Sequence, residues 1–224
     1  MIVIATYNDV NLLNNLLDSL NTTENLNENV LVVCTDPNQM GMIKYIHTLP
    51  SSNKYKFNIL ADFTPYAGYD SGAYIYAYNN YVDDYYIFLQ DSITVKSPEW
   101  FNYFKEKRNE DTINPLLQFS MCWDNLEQRM WVEQKFNGNF KLPNVGVFGP
   151  IFQASRKSLN KINELHNLTK FIPSHKITSQ QGMERGWAYL AVNSGIAINN
   201  IDGIYYGESS FESRCFNKIY LYRT

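Results

Sequence analysis

The sequence has few cysteines, few charged residues and no long apolar run, and each scarcity excludes a class of protein. Its three cysteines are spread over 224 residues without a C-x-x-C pair, which argues against a disulfide framework and a zinc knuckle. Charged residues make up 18% of the chain and the net charge is -3, so no basic surplus attracts nucleic acid or an anionic membrane. We therefore expect reduced thiols and a small partner, not a nucleic acid.

Targeting and membrane signals are also missing. The chain opens with an apolar, β-branched stretch without basic residues before it, and no run reaches the roughly 20 apolar residues that cross a bilayer. We expect a cytoplasmic protein with no membrane span.

The glycine patterns that bind phosphates are absent as well. The loop after the first apolar run reads TYNDVN, which is not G-x-G-x-x-G, and no G-x-x-x-x-G-K-[ST] occurs. This excludes the usual dinucleotide oxidoreductases and P-loop enzymes.

What the first half does contain is an alternation of apolar strands and helices. Leu12, Leu13, Leu16, Leu17 and Leu20 recur with helical period behind a possible Asn8 or Asp9 cap. A weaker helix follows in QMGMIKYIHTL, and a third is expected in GAYIYAYNNY behind caps at Asp70 and Ser71. The four strands are expected in IVIAT, NVLVVCTD, YKFNIL and YYIFLQ. This order predicts an α/β fold: a Rossmann-like, mainly parallel sheet with helices on both faces.

The second half has a looser pattern. It predicts helices near 97–109, 155–165 and 179–192, a strand near 115–123, an irregular aromatic stretch near 130–140 and extended chain near 195–207. No linker or second core is visible. We expect a single domain over 1–224, with a nucleotide-binding half at about 1–95 and an acceptor-binding half at about 96–224.

Polar residues lie just after the predicted strands and at the end of the loop before the third helix. The carboxyl ends of parallel strands meet at one edge of a sheet, so these residues are expected to converge in a binding crevice. They are Thr6, Tyr7, Asn8, Asp36, Asp70, Ser71, Gly72, Gln90, Asp91 and Ser92.

In order and spacing, several segments resemble the GT-A fold glycosyltransferases, most closely those of family 2. The resemblance rests on IVIATYNDVNLLNNLLDSL, VLVVCTD, YDSGAYIYAYNNYVDDYYIFLQDS and GPIFQASRKSL…ERGWAYLAVNSG. It implies an inverting transfer of a hexose or pentose from a nucleotide-diphosphate donor to a hydroxyl of a glycan or other acceptor. It also implies that Thr6, Tyr7 and Asn8 meet the nucleotide and that Asp36 holds the base. Two other roles for Asp36 stay open, a contact with the ribose and an ordinary turn residue before Pro37.

The resemblance places Gln90-Asp91-Ser92 where the family carries D-x-D. One carboxylate of the family motif remains, so three interpretations are open. Asp91 binds Mn²⁺ or Mg²⁺ with diphosphate and water completing the shell, the enzyme works without metal, or Asp91 merely ends the strand. We expect Gln90, like Asp91, to contact the nucleotide-sugar donor.

The loop before the third helix gives a second phosphate candidate. Asp70, Ser71 and Gly72 would present backbone N–H groups to a phosphate or a sugar hydroxyl, with helix capping as the competing role.

An inverting transfer needs a base for the acceptor hydroxyl. Glu184 matches the family's acid at the head of the late helix, Asp124 is the reserve base, and Arg185 is the nearest cation to the leaving diphosphate. The competing interpretation of Glu184 is a solvated glutamate at a helix N-terminus.

Two other functions compete with transfer. The incomplete D-x-D suggests an inactive relative that binds a nucleotide-sugar or glycan. A nucleotidyltransferase would share the Rossmann-like sheet and the metal, but TYNDVN lacks the glycine-rich, basic loop expected of that class.

Overall fold

The computed structural model describes most of the chain. The described residues are 1–66, 68–119, 126–136, 140–141, 143, 145–174, 177–202, 204–205 and 211–219.

The first half folds with the predicted alternation. Its elements are β1 (Ile2–Thr6), α1 (Val10–Leu20), β2 (Val30–Cys34), α2 (Met40–Ile46), β3 (Ile59–Phe63), α3 (Tyr69–Asn80) and β4 (Tyr85–Gln90). β1 pairs in parallel with β2 on one side and with β4 on the other, and β2 pairs in parallel with β3. The carboxyl ends of β1 and β4 therefore lie side by side.

The periodicity of the sequence explains these elements. The five leucines of α1 are buried, and the Asp9 carboxylate caps the helix by accepting from the backbone N–H groups of Asn11 and Leu12. Of the two expected caps, Asp9 is therefore the one used. Alternate residues of β1 pack into two hydrophobic clusters, one on each face of the sheet. Ile2 and Ile4 pack with α1, whereas Val3 packs with α3. The predicted α/β class, with helices on both faces of the sheet, is confirmed.

The second half continues the same sheet. Its elements are β5 (Ile93–Val95), α4 (Trp100–Glu106), β6 (Thr112–Phe119), α5 (Leu126–Glu133), β7 (Val145–Ser155), α6 (Arg156–His166), α7 (Ile177–Asn193), β8 (Ala197–Ile198), β9 (Ile204–Tyr205), β10 (Phe211–Glu212) and β11 (Phe216–Lys218). Across the described residues the strand order is β10-β9-β6-β7-β4-β1-β2-β3, with β8 also paired to β6.

Five elements of this half were not predicted: the strands β5, β7, β10 and β11 and the helix α5. β7 lies antiparallel between β4 and β6, and α5 overlaps the start of the segment near 130–140 that was expected to be irregular. The sequence of β7, VGVFGPIFQAS, includes two glycines and a proline, which weaken the signal of a strand.

A small second sheet brings the end of the described chain back to the first half. β11 pairs antiparallel with β5, and the backbone N–H of Ile219 donates to the carbonyl of Ser92 at 2.9 Å. The Phe216 ring anchors this strand, lying 5.2 Å from Trp100 and 5.8 Å from Phe104 between ring centroids. The pairing holds Lys218 next to the end of β4.

The start of α3 corrects a prediction. The helix is capped by Gly68, whose φ of 97° is left-handed, so Asp70 and Ser71 lie in the first turn and are not caps. A Cβ at Gly68 would come within 2.6 Å of Pro173 Cδ, so packing as well as φ requires glycine here. Tyr69 follows with φ of 41°, an uncommon conformation for a side chain of that size.

None of the helices within the described part of the chain has the length and apolar character that crossing a bilayer requires.

Candidate functional site

A cleft of about 590 Å³ opens where β1 and β4 end. Eight residues expected to bind or react line it: Thr6, Tyr7, Asn8, Asp70, Ser71, Gln90, Asp91 and Glu184. Asp36, Gly72 and Arg185 do not line it, and Asp124 lies outside the described residues. Residues that sequence reasoning missed also face the cleft, among them Asp9, Tyr69, Gln180, Gln181 and Lys218.

Asp91 sits at the junction of β1 and β4. Its backbone N–H donates to the carbonyl of Ala5 at 3.1 Å, and its Oδ2 accepts from the Thr6 hydroxyl at 2.7 Å. Burial raises the pKa of Asp91 to about 6, although Thr6, Lys218 and the Tyr7 backbone favour the charged form. The carboxylate is thus fixed in place and only partly solvated.

The residues beside Asp91 form a chain of hydrogen bonds. The Lys218 ammonium donates to the Ser92 hydroxyl at 2.6 Å, and that hydroxyl donates to Gln90 Oε1 at 3.0 Å. Lys218 is 126 residues from Ser92 in sequence, so no local pattern could reveal this contact.

The N-terminal turn of α3 forms the wall next to these groups. Tyr69, Asp70 and Ser71 line the cleft, and the Tyr69 ring lies 4.8 Å from the ring of Tyr7. The Ser71 hydroxyl accepts a hydrogen bond from Trp187 Nε1 at 3.0 Å, which ties α3 to α7.

Gly72 is buried inside this turn. Its N–H donates to the Gly68 carbonyl at 3.2 Å and belongs to the helix. Gly72 therefore shapes the turn without lining the cleft.

Asp36 lies behind the cleft wall. Its side chain is 6% exposed and accepts from the Asn38 N–H at 2.9 Å and from Gln39 Nε2 at 3.2 Å. Burial by itself would raise the pKa of Asp36, but these hydrogen bonds and one from Tyr7 hold it below its ordinary value. Asp36 is thus an ionised residue that orders the turn next to Tyr7.

Glu184 faces the cleft from α7, together with Gln180 and Gln181 one turn away. The helix begins at Ile177, so Glu184 is two turns inside it and not at its head as expected. Burial raises the pKa of Glu184 to about 7, against the opposing effect of Arg185 and Lys218. A carboxyl group with this pKa exchanges protons readily near neutral pH.

Arg185 turns away from the cleft. It is 5% exposed, and its Nη1 donates to the backbone carbonyl of Gln181 at 2.8 Å. Within the described residues, Lys218 is the cation that lines the cleft, and Arg185 does not line it.

The end of β4 offers one carboxylate, Asp91, to a divalent cation. Among the described residues, no three His, Cys, Asp or Glu side chains form a metal cage. Mg²⁺ and Mn²⁺ sites of nucleotide enzymes commonly use one or two carboxylates, with phosphate and water oxygens completing the shell. Asp91 is compatible with that kind of site.

Comparison with known proteins gives a fold but no sequence relative. No family model matches the chain, and neither does any curated protein sequence. Among solved structures, it is similar to the mannosyltransferase PcManGT from Pyrobaculum calidifontis, a complex with GDP-Man and Mn²⁺, with TM-score 0.54 and 10% identity. That match covers 91% of this chain and 55% of the mannosyltransferase, so the chain spans about half the length of that protein.

A second similar structure is a protein from Bacillus anthracis, assigned as a glucose-1-phosphate thymidylyltransferase and bound to sucrose. The TM-score is 0.51 at 13% identity, and the match covers 95% of this chain and 88% of that one. Together these likenesses show that the chain has the nucleotide-diphospho-sugar transferase fold, as the sequence resemblance implied.

Proposed function

We propose that this protein is a glycosyltransferase that moves a sugar from a nucleotide-diphosphate donor to an acceptor hydroxyl. The observation that carries the proposal is the composition of one cleft. It joins a strand-end carboxylate, Asp91, the first turn of a helix at Asp70, and an acid with pKa near 7, Glu184. The likeness in fold to a mannosyltransferase supports the same conclusion.

The donor would bind along the ends of β1 and β4. Thr6, Tyr7 and Asn8 would contact the nucleoside, and Asp36 would act indirectly by fixing the turn beside Tyr7. The diphosphate would lie between the α3 N-terminus, where backbone N–H groups and the helix dipole favour anions, and Asp91.

Asp91 would hold the divalent cation if one takes part. Mn²⁺ or Mg²⁺ would supply positive charge to the leaving diphosphate. The presence of Mn²⁺ in the mannosyltransferase complex supports this assignment.

The reaction would be a displacement at the anomeric carbon. The acceptor oxygen forms the new bond to that carbon while the bond to the diphosphate oxygen breaks and its electron pair leaves with the diphosphate. Glu184, as the carboxylate, takes the proton from the acceptor hydroxyl. Attack from the face opposite the diphosphate would invert the anomeric configuration, as the family 2 resemblance implies.

The test is a panel of UDP-, GDP- and dTDP-linked hexoses and pentoses, with and without Mn²⁺. Release of nucleoside diphosphate is measured by chromatography, and donor binding is measured by calorimetry. We expect one donor class to bind and to be hydrolysed slowly or transferred. Failure of every donor to bind would refute the proposal.

Two matched variants test whether Glu184 acts as the base. Glu184→Gln should bind the active donor but lose turnover, whereas Glu164→Gln, at an exposed position of α6, should behave as wild type. Tight donor binding without turnover in the wild-type protein, unchanged by Asp91→Ala, would instead identify an inactive, sugar-nucleotide-binding relative.

A nucleotidyltransferase is the second candidate, favoured by the likeness to the Bacillus anthracis protein over 88% of that chain. Such an enzyme would join a sugar 1-phosphate to a nucleoside triphosphate and release pyrophosphate. Pyrophosphate release from UTP, GTP or dTTP with glucose 1-phosphate would establish it. The loop after β1 lacks the glycine-rich, basic sequence expected for wrapping a triphosphate, so we expect no release.

A further inference from the structure

Next to Asp91, Lys218 brings a positive charge to the cleft, and the Gln90 amide lies beside it. We propose that Lys218 and Gln90 form an anion site for the diphosphate of the donor, so that a nucleoside diphosphate binds without a divalent cation. This inference rests on the proposed function and concerns how the same cleft recognises its ligand.

The directions of the hydrogen bonds follow from the groups involved. An ammonium group only donates, so the Ser92 oxygen is the acceptor for Lys218 at 2.6 Å. The single Ser92 hydrogen is then available for Gln90 Oε1, 3.0 Å away. This contact orients the Gln90 amide with its oxygen towards Ser92 and its nitrogen on the opposite side.

The Gln90 nitrogen is the second element of the site. The side chain is 7% exposed, and no acceptor for its Nε2 lies within the described part of the chain. A buried N–H donor without an acceptor is unfavourable, so an oxygen supplied by a ligand would remove a cost that the isolated protein carries. Gln90 lines the cleft, but its Nε2 has no accessible surface and lies next to Gly149, so a ligand oxygen reaches this donor only after the amide turns towards the cleft.

Gly149 leaves room for the Gln90 amide. A Cβ built on Gly149 would lie 2.0 Å from Gln90 Nε2, and Gly149 has a left-handed φ of 50°. Both facts require glycine at this point of β7, because a side chain would displace the amide.

Three oxygen atoms of the strand end accept hydrogen bonds from protein donors. Ser92 Oγ accepts from Lys218, Gln90 Oε1 accepts from Ser92, and Asp91 Oδ2 accepts from Thr6. The Asp91 carboxylate remains a possible cation ligand, whereas a phosphate would meet the Lys218 ammonium directly. The first turn of α3, another anion-favouring feature, lines the same cleft.

The test measures binding of UDP, GDP and dTDP, and of the matching monophosphates, by calorimetry in EDTA and in Mn²⁺. We expect one base to bind in EDTA, with the diphosphate preferred over the monophosphate. Lys218→Met should weaken diphosphate binding by about tenfold to hundredfold and change monophosphate binding little, because a hydrogen bond to a charged group is lost. A general loss of structure would weaken both ligands equally.

Lys96→Met is the matched control. Lys96 is an exposed lysine just after β5 whose ammonium donates to the Ser213 carbonyl outside the cleft, so its removal should leave binding unchanged. Gln90→Met provides a second variant, since it removes the amide but keeps the ammonium, and it should weaken diphosphate binding severalfold. Thermal melts of all three variants check folding.

The outcomes separate this inference from the proposed function. Diphosphate binding that requires Mn²⁺ and is unaffected by Lys218→Met and Gln90→Met overturns the anion site alone. Absence of binding of every nucleotide to the wild-type protein, with and without Mn²⁺, overturns the proposed function as well.

Discussion

Replacement of Glu184 by glutamine should stabilise the protein in alkaline solution while removing its activity. Glu184 lies partly buried on α7, and burial raises its pKa from the ordinary 4.5 to about 7. The folded protein therefore binds this proton more tightly than the unfolded chain does. The stability that the proton contributes is complete below about pH 4.5 and is lost as the pH rises through about 7. Glutamine cannot ionise, so it does not lose this stability.

The size of the effect follows from the pKa. At about 1.4 kcal/mol for each tenfold change in proton affinity, the rise from 4.5 to about 7 sets an upper limit of about 3 kcal/mol. Water in the open cleft screens the carboxylate, so we expect about 1 to 2 kcal/mol. For a chain of this size that corresponds to an increase in Tm of about 2 to 8 °C.

The assay compares thermal melts of Glu184→Gln and wild type across pH. The variant should melt higher at about pH 8.5, and the difference should fade towards about pH 4.5. Turnover should fall by about 10² to 10⁴, the usual contribution of a general base. Glu164→Gln, on the exposed side of α6, is the control for the change of acid to amide. Equal Tm values of Glu184→Gln and wild type at every pH would refute the reasoning.

Two further predictions concern the walls of the cleft. Gly68→Ala should destabilise the protein by about 1 to 3 kcal/mol in urea unfolding, because φ is 97° and the new Cβ would lie 2.6 Å from Pro173 Cδ. Gly41→Ala, with no atom within 4 Å of its Cβ, should be neutral or stabilising by about 0.5 to 1 kcal/mol, and equal effects would contradict the argument. Ser71→Ala should cost about 1 to 3 kcal/mol by leaving the buried Trp187 N–H without its acceptor. Ser71→Ala in a Trp187→Phe background should cost much less, and equal costs in both backgrounds would exclude the hydrogen bond.

Much of the first half could be predicted because its signals are local. The leucine period of α1, the β-branched runs of β1 and β2, and the polar residues after each strand are all visible over a few residues. The convergence of Thr6 and Asp91 also follows, since parallel neighbours end at the same edge, and the structure joins them by a hydrogen bond of 2.7 Å.

The start of α3 shows where local signals become ambiguous. Gly68, Asp70 and Ser71 are all residues that begin helices, so capping preference alone could not choose between them. The contact of Gly68 with Pro173, more than 100 residues away, favours the glycine, and Ser71 is instead used as the acceptor of Trp187.

The amino-acid sequence was enough to infer the α/β alternation, the edge of the sheet where a ligand would lie, and Asp91 and Glu184 as acids worth testing. The folded structure was needed to show that Lys218 lines the cleft, that Arg185 does not, and that burial raises the pKa of Glu184 to about 7. Periodicity and turn chemistry act over a few neighbouring residues, whereas the β5 and β11 pairing and the burial of a carboxyl group depend on segments distant in the chain.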